Sequence, residues 1–135
     1  MLLDHFGRGH FVRLLKKTIQ VLLFSIFGLG GLYRLLQPIE KLSQEMFWVS
    51  FFDPLIVRAI ACIEVLCGLG LILPLLFEKI RYEYSYYSSI LLIGLMFGAA
   101  VTHVVIGDYE EIFANLSLIA MLAVLMLKRD RRKTS

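Results

Sequence analysis

Residues 53–77 read DPLIVRAIACIEVLCGLGLILPLLF, and this stretch decides the fold. From Leu55 to Phe77 it carries only two charged side chains, Arg58 and Glu64. At about 1.5 Å per helical residue it is long enough to cross a hydrocarbon core of about 30 Å. Lipid offers no partners to backbone N–H and C=O groups, so a spanning segment is a helix or a strand of a closed barrel. The run has no strand-like alternation and is far longer than a barrel strand, so it is read as a helix. Asp53 followed by Pro54 supplies an N-cap and then a proline at the first helical position. Pro74 predicts a kink, or a stop near Leu73.

Working outward, three similar runs appear: Ile19–Leu36, Tyr86–Ile106 and Ile112–Leu127. The last is expected to begin at Tyr109, with Asp108 as N-cap and Glu111 as its capping-box partner. Gly107 stands where a C-terminal glycine belongs, and Pro38 ends the first run. Apart from Gln37–Asp53 the connections are short, which makes neighbouring helices antiparallel. The expected fold is all-α: an integral membrane antiparallel four-helix bundle with spans about 19–36, 55–77, 86–106 and 109–127. Residues 1–18 are expected as a separate amphipathic arm on the cytoplasmic side, and 128–135 as a basic cytoplasmic tail. Met46-Phe47-Trp48-Val49 and Phe51-Phe52 suggest an aromatic belt at the outer boundary. The first run is not read as a cleaved signal, because Tyr33-Arg34 sits where small residues would be wanted.

Composition agrees. Of 135 residues, 59% are hydrophobic and only 19% charged, against about 45–50% and 25% in soluble domains. A soluble domain of this size cannot bury so much apolar surface. A nucleic-acid-binding module, a disulfide-stapled secreted domain and a disordered tail are excluded. Eleven of the 14 basic residues fall in the N-terminal segment, the loop after the second span and the C-terminal tail. By the positive-inside rule both termini are expected in the cytoplasm, and the expected membrane is the cell inner (plasma) membrane.

Little in the chain carries recognisable chemistry. Cys62 and Cys67 lie five apart on one helix, about 140° around it, so they form no CxxC pair and are expected as buried packing residues. No metal-ligand spacing, nucleophilic triad, phosphate loop or dinucleotide fingerprint is present, so no catalytic residue and no metal site is assigned. Small residues form stripes instead: Ser25, Gly28 and Gly31 in the first span, Ala61 and Gly68 around Glu64, and Gly94 with Gly98 in the third span. Such stripes let helices approach closely and mark inward faces.

Ionisable groups inside spans are the sharper signal, since each is costly in lipid without a partner. Glu64 lies about 15 Å beyond Pro54, near the midplane, where its short side chain cannot reach water. Arg34 ends the first span, Arg58 is one turn into the second, His103 is one turn from the end of the third, and Asn115 lies in the fourth. Each helix thus places a polar group in the outer half, as an outward-open vestibule requires.

The same residues carry a family resemblance. Phe27-Gly28-Leu29-Gly30-Gly31-Leu32-Tyr33-Arg34-Leu35, then Ile60 through Pro74 with its intramembrane Glu64, and finally Gly98 to His103 with Gly107-Asp108 resemble the DoxX-like group of small four-span membrane proteins. Arg34 stands where that group often has a Lys, which keeps the charge and changes the hydrogen-bonding geometry. The resemblance implies the fold and, for function, an association with quinone-linked membrane redox complexes or a role as an assembly partner. The expected function is an accessory membrane protein with an outward-facing polar pocket formed by Glu64, Arg34, His103, Asn115 and Arg58. Its occupant would be a quinone-like or lipid-like ligand or a partner's membrane segment. The alternatives are a small subunit of a quinone-linked oxidoreductase and a small proton-coupled exporter. No intrinsic cofactor is expected, a quinone being the one candidate. Expected partners are the bilayer, a membrane oxidoreductase or other membrane protein, and another copy of the chain, with no nucleic acid.

Overall fold

The computed structural model describes the backbone of residues 2–127 and the side chains from residue 7 onward; the expected basic tail at 128–135 lies outside the described residues. The regular elements among the described residues are all helical, in the order α1 (Leu2–Phe24), a π-helical turn (Ser25–Leu29), α2 (Gly30–Leu36), α3 (Ile39–Glu45), a short 3-10 turn (Phe47–Phe51), α4 (Pro54–Leu76), α5 (Glu83–Ile106) and α6 (Glu110–Met126). Three stretches are long and apolar enough to cross a membrane: Gly7–Leu36 with 30 residues, Pro54–Leu76 with 23 and Glu83–Ile106 with 24. The chain is a multi-pass membrane protein. α6, with 17 residues, packs most extensively on α5 and also touches α1.

Local chemistry accounts for the helix ends. Asp53 caps α4 through Oδ1, which accepts from the Leu55 amide at 2.8 Å, and Pro54 occupies the first helical position. Gly107 ends α5 in the left-handed region at φ +78°, a conformation that glycine adopts without steric cost. The Gly107 amide bonds back to the Val104 carbonyl and the Asp108 amide to the His103 carbonyl, closing a Schellman turn.

One apolar core joins the long helices. Leu23 and Phe27 meet Cys67 and Leu71 of α4, Leu92 and Met96 of α5, and Leu122 and Leu125 of α6. Sequence-adjacent helices run antiparallel: Gln20 reaches the Leu71 carbonyl while Arg34 reaches Glu64, and Tyr82 at the start of α5 bonds to the Leu125 carbonyl near the end of α6. A second, smaller core of Leu42, Val49 and Val57 closes one end, with Ile39, Met46, Trp48 and Phe52 packed against it.

Several expectations are corrected. Across the segment expected as an arm, α1 is helical from Leu2 and runs through position 18 without a break into the first membrane-length helix. No proline or glycine interrupts residues 10–27, so nothing there stops the helix. Asp108 does not cap α6: the helix starts at Glu110 after Tyr109, which already has helical dihedrals, no side chain accepts from its first amides, and the Asp108 carboxylate lies beside His103 instead. Pro74 does not end α4, which continues to Leu76. The aromatic segment divides: Phe47 and Phe51 stay exposed, edge to face at 5.0 Å, while Trp48 and Phe52 pack on the smaller core. Cys67 is buried as expected, but Cys62 is exposed on the outer surface of α4. Ser25 also faces outward, its hydroxyl donating to the Val21 carbonyl within its own helix.

Candidate functional site

Two glycines of the first long helix set the site. A Cβ added to Gly68 would lie 2.7 Å from Gly28 Cα, so there α4 and the π-helical turn touch backbone to backbone. One turn further, a Cβ on Gly31 would lie 2.9 Å from the Ala61 carbonyl oxygen and 3.1 Å from Glu64 Cβ. The stripe formed by Gly28, Gly31, Ala61 and Gly68 therefore does what small residues do in lipid: it removes the side-chain layer between two helices. This close approach brings α2 against the middle of α4.

Across that contact Arg34 Nη1 donates to Glu64 Oε2, forming an ion pair. The Glu64 side chain is 5% exposed and that of Arg34 18%, so the pair is enclosed from the carboxylate side and reached from the guanidinium side. Arg34 Nε has no hydrogen-bond partner in spite of its burial. The π-helical turn lies just before this site, a placement common for such widened turns.

Arg58 has a different task. Nη1 donates to the Arg34 carbonyl and, at 3.0 Å, to the Leu35 carbonyl; Nη2 donates to the Gln37 carbonyl at 2.7 Å. These are the exposed carbonyls at the end of α2, and a guanidinium bridging them satisfies groups that have no partner inside the helix. Arg58 thus holds the main chain of Arg34 and makes no ion pair with Glu64.

His103 and Asn115 sit on the α5–α6 hairpin. Both are buried, at 6% and 8% exposure. His103 Nδ1 stands 3.3 Å from Asp108 Oδ2, an approach created by the Schellman turn, but without hydrogen-bond alignment. Asn115 Nδ2 has no partner. Among the described residues no hydrogen bond or ion pair connects either of them to Arg34 or Glu64. Of the five candidates, then, Arg34 and Glu64 meet directly, Arg58 joins through the backbone, and His103 and Asn115 occupy the neighbouring hairpin.

Sequence reasoning passed over a second polar group toward the other end. Gln20 is buried and its Nε2 donates to the Leu71 carbonyl. Ser88 Oγ lies against Gly70, where a Cβ would collide with it, and Ser85 Oγ is buried without a partner. The signal was Pro74: lacking an N–H, it cannot serve the Gly70 carbonyl, and neighbouring helices supply polar groups around such a gap. Tyr33 was also missed as a latch: its hydroxyl donates to Glu45 at 2.8 Å, tying α3 to α2 beside Arg34.

Compared with known proteins, residues 18–125 match the model of one family, described as the DoxX-like family. Neither the curated proteins nor the solved structures give a significant match.

Proposed function

The chain belongs to the DoxX-like family, and from that premise we propose an integral membrane accessory protein that presents a polar pocket within the bilayer. In this reading α6 joins the three membrane-length helices as a fourth span of an antiparallel four-helix bundle. Both termini lie in the cytoplasm, the membrane is the inner (plasma) membrane, and the pocket opens outward. It accepts a quinone-like or lipid-like ligand, or a membrane segment of a partner protein.

The observation that carries this reading is the buried Arg34–Glu64 pair. Taking two charges out of water costs several kcal/mol per ion, and apolar side chains of similar volume would stabilise the packing as well or better. A pair that also leaves Arg34 Nε unsatisfied serves binding better than stability. Arg34 Nε and Asn115 Nδ2 are N–H donors awaiting acceptors. That supports an occupant carrying acceptor oxygens on an apolar body, as in the carbonyls of a quinone or the esters of a lipid. No residue is assigned a catalytic role. Redox turnover would require a partner bringing its own cofactors, which is the alternative of a small subunit in a quinone-linked oxidoreductase.

The test is purification in mild detergent of the wild type and of Arg34→Leu/Glu64→Leu, with mass spectrometry of extracted lipids and quinones and identification of co-purifying proteins. The wild type should retain an oxygen-bearing apolar molecule, or a stoichiometric membrane protein, that the variant loses. A redox enzyme among the retained proteins selects the subunit reading. Identical retention by both proteins removes the pocket.

A further inference from the structure

The first long helix overshoots its neighbours. At about 1.5 Å per residue the 30 residues of Gly7–Leu36 measure about 45 Å, against about 35 Å for the 23 residues of Pro54–Leu76. α1 and α4 are antiparallel, with Gln20 beside Leu71 near the end of α4. The excess length therefore projects past the last turn of α4, and it consists of the residues around Gly7–Leu15. An overshoot of about 10 Å is enough to cross one headgroup layer, which is about 5–8 Å deep where a bilayer of about 40–45 Å contains a hydrocarbon core of about 30 Å.

The surface of this projection is built for that layer. Phe11, Leu15 and Leu22 lie on one face at spacings of four and seven and are 65%, 43% and 48% exposed. They continue the lipid-facing surface of the span outward. Away from them stand Arg13 and Lys17, one helical turn apart and both exposed. Lys16 is already engaged: it lies one turn before buried Gln20, and its Nζ donates to the Leu127 carbonyl at 2.8 Å, just beyond α6. No acidic residue occurs between Gly7 and Leu36 to neutralise the remaining charges.

We infer that this projection is a docking surface for anionic phospholipid, with Phe11 and Leu15 seated among the upper acyl chains and Arg13 and Lys17 on the headgroup phosphates. The surface deepens the bilayer contact of the proposed function and takes its leaflet from the proposed topology. Its lipid preference does not depend on that topology. Each basic side chain held at an anionic surface contributes about five-fold in affinity, so two contribute about twenty-five-fold.

The test compares thermal unfolding of the full chain in nanodiscs of phosphatidylcholine alone and of phosphatidylcholine with phosphatidylglycerol. Both leaflets have the same composition, so an inverted topology would leave the result unchanged while reversing the reporter fusions described below. The wild type should melt at a higher temperature in the anionic discs, and Arg13→Gln/Lys17→Gln should lose more than half of that rise. Lys16→Gln should melt lower in both lipids by the same amount and keep the rise. Arg13→Lys/Lys17→Arg, which preserves charge, should restore the full response. The inference is overturned if the wild type ignores phosphatidylglycerol, or if the glutamine variant keeps the whole rise. It is also overturned if inorganic phosphate stabilises the protein equally in phosphatidylcholine discs.

Discussion

Arg58 holds Arg34 by its main chain: a guanidinium on α4 donates to the carbonyl of the residue whose own guanidinium grips Glu64. Both ends of Arg34 are therefore tied to α4, the side chain near the helix centre and the backbone one turn from its start. The final turn of α2 is fixed against α4 at two depths, and the pair is oriented by groups outside it.

Loss of Arg58 should loosen α2 more than it disturbs charge. Arg58→Gln removes hydrogen bonds to three carbonyls, and bonds made by a charged donor contribute about 1.5–3 kcal/mol each, though not additively. Arg58→Lys keeps the charge but cannot fork across three acceptors, so it should recover only part of the loss. Detergent melts of the two variants check this. Full recovery by lysine would mean that the charge, not the fork, matters.

The Arg34–Glu64 pair lends itself to a double-mutant cycle. Glu64→Leu strands a buried guanidinium and should destabilise by about 3–5 kcal/mol, while Arg34→Leu/Glu64→Leu should recover most of that loss. A merely additive double variant would show that the two side chains do not interact in the membrane. Whatever its stability, the double variant should retain none of the molecules that co-purify with the wild type.

The helices were legible because lipid forces them: runs such as 55–77 have no other way to satisfy their backbone, and Asp53-Pro54 and Gly107 mark ends by short-range chemistry. Glu64, Arg34 and the glycines facing them were legible because charge in a span is costly and small residues admit a neighbour. Long-range partnership was not legible. Nothing in the order of residues says that Arg58 would serve carbonyls 21 to 24 positions away, or that the Asp108 amide would be taken by His103. The continuity of α1 from Leu2 into the first span was not legible because a basic amphipathic segment reads alike whether it lies on a membrane or extends a helix out of it.

Glycine substitutions should separate packed stripes from open ones. At Gly68 an added methyl would sit 2.7 Å from the Gly28 backbone, which cannot give way as a side chain would. Gly68→Ala should therefore separate the helices and cost about 1–3 kcal/mol by overpacking. Gly94 and Gly98 carry the same GxxxG spacing, yet a Cβ at either meets nothing within 4 Å. Gly94→Ala and Gly98→Ala should leave the melting temperature unchanged or raise it, since alanine is favoured over glycine within a helix by up to about 1 kcal/mol. A large loss at Gly94 or Gly98 in detergent-solubilised protein would indicate a contact made by another chain.

Topology is the prediction on which the outward-facing pocket depends. α6 has 17 residues, about 26 Å of helix, and its first turn carries Glu110 and Glu111 while the chain after Leu127 is strongly basic. A helix somewhat shorter than the hydrocarbon core can still cross when the bilayer thins or flanking side chains reach the interface. The basic residues that precede the first span and follow α6 then hold both ends in the cytoplasm. Reporter fusions placed after Ser135 and within the 107–109 turn should give opposite locations, cytoplasmic for the first and external for the second. Both reporters on one side would mean that α6 lies along the membrane surface. An external C-terminus opposite an internal turn would place the Arg34–Glu64 pair in the other leaflet, and the pocket would then open toward the cytoplasm.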